Sequence, residues 1–303
     1  MALPQRPLGK TGIEVPVLGY GTAPLGKIKF MDAPMIRKSA QLLNHAIDQG
    51  ITYLDTSPDY GSQPKLGEVL KRRRHEVFVA TKVNKRRRDD VMAELRQNLE
   101  ELQTDHVDLV QVHAVNAMAD LEAALAPDGA LAALEEARRQ GLTRFVGITG
   151  HARPSVLAHA LERFQFDTVL VALGVIDRLV TGPETVLLPV AQRHDVGVIA
   201  MKVLGHGTLK QRELALRYSL GLPGVSLAIV GMDEEAQIDE NVRLAQLAAH
   251  LGPPSEQEFD ALVAEARALV QNDKPSDSSP IFWLYDIKTM AWQEDSEPAT
   301  VAY

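Results

Sequence analysis

Eight short apolar runs recur along the chain, at 15–20, 51–54, 77–80, 107–112, 145–148, 169–173, 196–200 and 225–230. Each suits a buried β-strand, and their centres lie about 30 residues apart, the length of one βαβ unit. The segments between them carry helical period instead. Met92, Leu95, Leu99 and Leu102 form one stripe, and Val156, Leu157, Ala160, Leu161 and Phe164 form another. Gly50 and Gly141 stand where a helix should end and hand over to the next strand. Eight strands alternating with eight helices point to a (β/α)8 barrel of the TIM type. The competing architecture is a doubly wound sheet with a dinucleotide fingerprint after its first strand. There the turn reads Gly19-Tyr20-Gly21-Thr22-Ala23-Pro24, with proline where the third glycine belongs, and the match is partial.

In a barrel, the residues just past the C-terminal ends of the strands face the active site. Asp55 and Tyr60 in ITYLDTSPDYG, Lys82 ending EVFVATK and His113 ending HVDLVQVH meet that rule. Neighbouring parallel strands lie roughly 5 Å apart, so a carboxylate, a phenol, an ammonium and an imidazole should share one small space. Such a group is a proton-transfer centre, because a lysine beside a tyrosine makes the phenol a better acid. Taken singly, each residue has a structural alternative: a strand-end ion pair, a packed tyrosine, a core histidine.

Composition bounds the picture. A chain of 303 residues can fill one barrel domain over 1–303, with 272–303 as a C-terminal extension. A net charge of −8 argues against broad nucleic-acid binding. With no cysteine there is no disulfide, thiolate metal site or cysteine-ligated iron–sulfur cluster. The first residues lack the apolar core of a signal peptide and no run approaches membrane-spanning length, so a cytoplasmic protein is expected.

The four residues, at these spacings on the second, third and fourth strands, resemble the aldo-keto reductase family. The likeness covers nearly the whole chain. It begins with a hairpin at 3–17 that would plug the barrel bottom, continues through GYGT at 19–22 and DTSPDYG at 55–61, and reaches DENV at 239–242. It implies hydride transfer between a nicotinamide coenzyme and a small aldehyde, ketone or alcohol. Tyr60 would donate the proton, Lys82 held by Asp55 would lower the phenol pKa, and His113 would orient the carbonyl. The resemblance places the coenzyme on Gly21, Thr22, Thr149, Met201, Lys202, Leu204, Gly205, Gly231, Met232, Gln237, Glu240 and Asn241.

The coenzyme side departs from the family pattern. A serine–asparagine pair after the fifth strand is replaced by Thr149-Gly150-His151, where His151 is either a substitute or a solvated loop residue. The glutamine near the end of strand six is missing from Val171-Ala172-Leu173-Gly174. Met201 stands where an aromatic residue often stacks, and Lys202 is placed to reach the pyrophosphate or is simply a strand-end lysine. Asp233, Glu234 and Glu235 occupy the loop expected to be basic for NADP(H). Family habit favours NADP(H), whereas these acids lean towards NAD(H).

Two basic runs differ in expected role. Residues 71–74 end a helix and read as solvated surface. Residues 85–88 sit on the active face, either as a solvated loop or as an anion attractor, with Asp89 and Asp90 placed to cap the next helix. The tail carries a hinge by composition at 273–280, then Phe282, Trp283 and Trp292, which read as a lid over the pocket. Two further functions remain open: a redox-sensing or regulatory protein with little turnover, and a Schiff-base aldolase using Lys82 or Lys202.

Overall fold

The computed structural model describes residues 2–26, 33–273, 279, 281–286 and 291–292. A hairpin of β1 (Gln5–Pro7) and β2 (Glu14–Pro16) opens the chain, paired antiparallel with Arg6 opposite Val15. Eight parallel strands follow: β3 (Leu18–Gly21), β4 (Tyr53–Asp55), β5 (Phe78–Val83), β6 (Val107–Val112), β7 (Thr143–Gly150), β8 (Thr168–Ala172), β9 (Gly197–Met201) and β10 (Val225–Gly231). They run side by side in chain order, and β10 pairs with β3 to close the barrel. Closure excludes the doubly wound sheet. At least one helix follows each strand and covers the outside, as Arg88–Leu102 does with buried Val91, Met92, Leu95, Leu99 and Leu102.

The apolar run at 15–20 is two elements rather than one. Pro16 has no N–H for a ladder, so the hairpin strand ends there and the barrel strand restarts at Leu18. Phe164 likewise lies just past its helix, Pro154–Arg163.

Side chains alternate along a strand, so every second residue points into the barrel. Tyr53, Ala80, Leu109, Leu170, Ile199 and Leu227 form its apolar interior, with Leu8 and Val15 of the hairpin packed against them. Tyr53 stacks on Phe78 at 5.0 Å, and Phe78 on Phe145 at 6.2 Å. The hairpin closes the floor. Gly9 has φ +50°, and a Cβ there would stand 2.3 Å from the Gly197 nitrogen, so the turn fits only without a side chain. Two residues further up three of the same strands stand Asp55, Lys82 and Gln111, all buried. The barrel is therefore apolar at the floor and polar at the mouth.

Past helix Glu256–Asn272, the tail returns to the body. Ile281, Trp283 and Leu284 are buried in the main core cluster, and Phe282 packs partly buried beside them. Trp283 Nε1 donates to Asp177 Oδ1 at 2.8 Å. A short ribbon pairs β11 (Tyr285–Asp286) with β12 (Ala291–Trp292). Residues 274–278 and Pro280 of the expected hinge, and the Trp292 side chain, lie outside the described residues. Among those residues no helix is long and apolar enough to cross a membrane.

Because Leu8 is fully buried between hairpin and barrel, Leu8→Ala should cost about 2–5 kcal/mol of stability. Urea unfolding measures this; a loss below about 1 kcal/mol would mean the floor packs without the plug.

Candidate active site

Lys82 is the centre of the site. Its ammonium donates to Asp55 Oδ1 at 2.6 Å and to the Thr56 carbonyl at 2.7 Å, with both charged side chains almost fully buried. It lies 4.9 Å from the centre of the Tyr60 ring. The structure thus brings Asp55, Tyr60, Lys82 and His113 together. Asp55 and Lys82 arrive because each occupies the inward register of its strand, one layer above Tyr53 and Ala80. Tyr60 comes from the short 3-10 turn Pro58–Tyr60 after β4, and its ring meets the His113 ring edge-on at 6.3 Å.

Burial works against the Lys82 cation, yet Asp55 and Tyr60 outweigh it and hold the ammonium above its ordinary range. Burial lifts the Asp55 carboxyl, opposed by Lys82 and by Gln111, whose amide donates to Asp55 Oδ2 at 3.3 Å. For Tyr60 the expectation of a lowered pKa is corrected. Burial pushes the phenol up first, Lys82 pulls it down, and Asp55 and Asp59 raise it again, leaving it above its ordinary value. Burial and Lys82 depress His113 to about 4, with Asp59 opposing and Arg86 reinforcing, so the imidazole is neutral at neutral pH.

Three residues of this site carry no strand-end signal in the sequence. Gln111 braces Asp55. Asn98, on the helix after β5, donates to the Lys82 carbonyl at 2.9 Å. Asn84, two residues past Lys82, accepts from His113 Nδ1 at 2.6 Å. Inward alternation along β6, from Leu109 to Gln111 to His113, was the available clue for the first.

A model of the Aldo/keto reductase family matches residues 17–214. L-galactose dehydrogenase of Arabidopsis thaliana is 29% identical over 315 residues, covering 87% of this chain and 95% of the relative. D-threo-aldose 1-dehydrogenase of a Pseudomonas species is 30% identical over 236 residues, covering 67% and 70%. The aldo-keto reductase AKR11C1 of Bacillus halodurans, in its holo form, superposes with a TM-score of 0.73 at 25% identity, covering 88% of this chain and 97% of that one. The chain belongs to the aldo/keto reductase family. It is an oxidoreductase of that family.

The residues that the family resemblance assigned to the coenzyme are placed unevenly. Gly21 ends β3 and Gly231 ends β10, where a Cβ on Gly231 would stand 2.7 Å from Pro24 Cγ. Thr22 has its side chain turned inward: its hydroxyl donates to the Asp55 carbonyl at 3.0 Å and meets Ser62 Oγ at 2.8 Å. Met232 is likewise buried, and its backbone carbonyl accepts from the Tyr20 hydroxyl at 2.5 Å. Gln237 accepts from the Asp233 N–H at 2.9 Å, and Glu240 pairs with Arg212 at 2.6 Å. Met201 and Leu204 are buried at the mouth side of β9, and Gly205 turns the chain with φ +54°.

Thr149 Oγ1 and Asn241 Oδ1 are buried with no partner. Orphaned polar atoms of that kind are costly unless a ligand meets them, and these two fit a carboxamide at one end and an adenine at the other. Gly150 has no room for the asparagine of the family pattern, since its Cβ would lie 2.9 Å from the Val115 carbonyl. Asn116 instead accepts from the His151 N–H at 2.7 Å, and the half-buried His151 ring stands 6.0 Å from that of His113.

Lys202 has φ +63° and its ammonium meets His206 Nε2 at 2.7 Å. It lies 5.3 Å from the Phe282 ring and 5.0 Å from Trp283. Burial lowers it to about 8, with Asp177 opposing and Lys82 reinforcing. The basic runs are only partly solvated. Arg74 pairs with Asp108 at 2.9 Å and Arg73 with Asp48 at 2.7 Å. Arg86 donates to the His113 carbonyl at 2.6 Å and to the Asn84 carbonyl at 3.0 Å, bracing the site wall, while Lys85, Arg87 and Arg88 are exposed. Asp89 and Asp90 sit in the first helical turn, where they suit the helix dipole; Arg87 holds the N-cap position, so neither aspartate caps.

His113 gives a pH signature. Its folded value near 4 lies below the ordinary 6.5, so between these the unfolded chain binds a proton that the folded chain refuses. Stability should therefore fall as pH drops from about 6.5 towards 4, by roughly 3 kcal/mol at most from this residue. His113→Gln should flatten that part of the pH–stability curve; an unchanged slope would mean that other groups carry it.

Proposed function

We propose that the protein catalyses nicotinamide-dependent interconversion of a small alcohol and its aldehyde or ketone, with Tyr60 as general acid and base. The observation that carries this reading is the buried Lys82 ammonium, paired with Asp55 and 4.9 Å from the centre of the Tyr60 ring, which meets the His113 ring edge-on. A bound nicotinamide coenzyme supplies or accepts the hydride. Tyr60 gives its proton to the carbonyl oxygen in reduction and takes one from the alcohol in oxidation. Lys82 stabilises the phenolate left behind, because a cation beside it favours the charged form. Asp55 and Gln111 hold that cation in place.

Thr149 and His151 would meet the carboxamide, and Asn241 with Glu240 the adenine. NADP(H) follows family habit, and two Klebsiella pneumoniae aldo-keto reductases of the same fold are complexes with NADPH and NADP. The exposed Asp233, Glu234 and Glu235 favour NAD(H), and Glu235 also opens helix Glu235–Leu251, where acids suit the dipole. Phe282 and Trp283, packed around Lys202, support the tail as one wall of the mouth. The names of the relatives make sugars and other hydroxylated carbonyl compounds suitable first substrates.

A cofactor-binding regulator with little turnover is supported by Gly150, which offers no amide. The aldolase reading loses its first nucleophile, since Lys82 is held as a cation. Oxidation of coenzyme with a panel of aldehydes separates an enzyme from a regulator. Borohydride trapping without coenzyme tests Lys202 as a Schiff-base amine.

Tyr60→Phe should lower kcat by about 10²–10⁴-fold and leave coenzyme affinity unchanged by fluorescence quenching. Turnover within a few-fold of wild type would rule out Tyr60 as the acid. Replacing Glu234 with Lys and Glu235 with Arg should shift preference towards NADP(H) by about tenfold or more, since a charge-assisted contact contributes about 1.5–3 kcal/mol. An unchanged preference would place the adenosine elsewhere.

A further inference from the structure

The carbonyls of β5 point alternately to its two neighbours. That of Ala80 accepts from the Thr56 N–H on the β4 side at 2.9 Å, and that of Val83 from the His113 N–H on the β6 side at 3.0 Å. The Lys82 carbonyl, two residues past Ala80, therefore faces the β4 side again. There β4 has already ended: its pairing stops at Asp55 opposite Ala80, and the chain turns off into Pro58–Tyr60. A buried carbonyl left without a donor is costly. Asn98 fills the gap at 2.9 Å.

Gln63 holds Asn98 in turn. Its side chain is fully buried at the start of helix Gln63–Arg73, just past the turn that carries Tyr60. Its Nε2 donates to Asn98 Oδ1 at 3.0 Å and to Glu101 Oε2 at 2.9 Å, and its Oε1 accepts from Thr81 Oγ1 at 2.7 Å. One orientation satisfies all of these contacts. The Lys82 carbonyl only accepts, so Asn98 turns its NH2 there and its oxygen to Gln63, and the Gln63 NH2 then faces two acceptors. The Ser62 hydroxyl ties the same turn to Thr56 at 3.1 Å and to Thr22 at 2.8 Å. A single amide thus joins the Tyr60 turn to Thr81 and, through Asn98, to Lys82.

We propose that Gln63 is a positioning residue: through Thr81 and Asn98 it fixes the Lys82 end of β5 against the Tyr60 turn, and so sets the approach of the ammonium to the phenol, 4.9 Å from Nζ to the ring centre. It acts from the outer side of the strand, because Thr81 points away from the barrel where Lys82 points in. The inference rests on the Tyr60–Lys82 proton chemistry proposed above. A brace between helices that had no part in that chemistry would cost stability and leave turnover alone. Glu101 is the charged group touching this amide, so Gln63→Glu sets a carboxylate against a carboxylate and against the Asn98 oxygen.

Gln63→Glu keeps the shape of the side chain and removes its donors. At about pH 8 it should lower kcat about tenfold or more, while KM and coenzyme affinity, read by fluorescence quenching, stay within about twofold. Burial and Glu101 raise the new carboxyl, which takes up a proton as pH falls and can donate again, so kcat relative to wild type should recover towards about pH 6. No loss, or a loss flat with pH, would overturn the proposal. Gln63→Met and Asn98→Ala cut the same path, so the double variant should lose little more kcat than the worse single one; additive losses would count against it equally. The second readout is the titration of Tyr60, isolated among the six tyrosines as the ultraviolet difference between each chain and its Tyr60→Phe counterpart. Gln63→Met should move the midpoint above that of wild type, since a displaced Lys82 favours the phenolate less. Should that variant not fold, Asn98→Ala should give the same shift, and an unmoved midpoint would overturn the proposal. The titration needs neither coenzyme nor turnover, so it stands if the enzymatic reading fails; that reading fails separately, if wild type oxidises no coenzyme with the aldehyde panel.

Discussion

The Asp55–Lys82 ion pair is the constraint on which the mouth of the barrel depends. Two opposite charges, almost wholly removed from water, hold each other at 2.6 Å. Removing water from such a pair costs several kcal/mol per ion, and the attraction offsets this only when further hydrogen bonds complete it. Thr56 and Gln111 supply those bonds, and Thr22 fixes the Asp55 backbone. A well-packed apolar pair could stabilise the fold as well or better. Holding a cation beside a phenol is what such a pair adds, so the arrangement makes sense as chemistry more than as stability.

The rest of the barrel is built so that this pair can exist. Below it, the interior is filled by Tyr53, Ala80, Leu109, Leu170 and Ile199, closed from beneath by Leu8 and Val15. A dry floor keeps solvent away from the ion pair and strengthens its field. Above it, the environment changes from apolar packing to oriented amides. Asn98, Asn84, Asn116 and Gln111 each hold one backbone or side-chain group of the site. On the opposite rim, Trp283 joins the main core and donates to Asp177, whose carboxyl burial pushes up to about 6. The described part of the tail is thus anchored in the body as well as lying over Lys202.

The candidate proton-transfer group was legible in sequence because it obeys a simple register. Asp55 and Lys82 lie two residues above inward apolar positions on adjacent strands, and His113 falls one residue past β6. What the residue types could not reveal was the sign of competing terms. Lysine beside tyrosine suggests a lowered phenol pKa, but burial is the larger influence and acts the other way. Thr22 and Met232 fit the family's pattern by position, yet their side chains face the interior, because local sequence does not say which way a loop residue turns.

The order of apolar runs and helical stripes, with strand-end chemistry at three adjacent strands, determined the barrel and its active face from sequence alone. Periodicity of two and of 3.6 is a local property, and it survives folding unchanged. Tertiary structure alone decided the rest: the split of 15–20 into plug and strand, the bracing of His113 by Arg86, and the choice of Asn84 as its partner. Those depend on approaches between segments distant in sequence or on backbone turns outside regular elements, as when Gly9 meets Gly197 or Asp177 meets Trp283. No pattern along the chain encodes such distances. They are fixed only when closure of β10 on β3 brings the loops to one mouth.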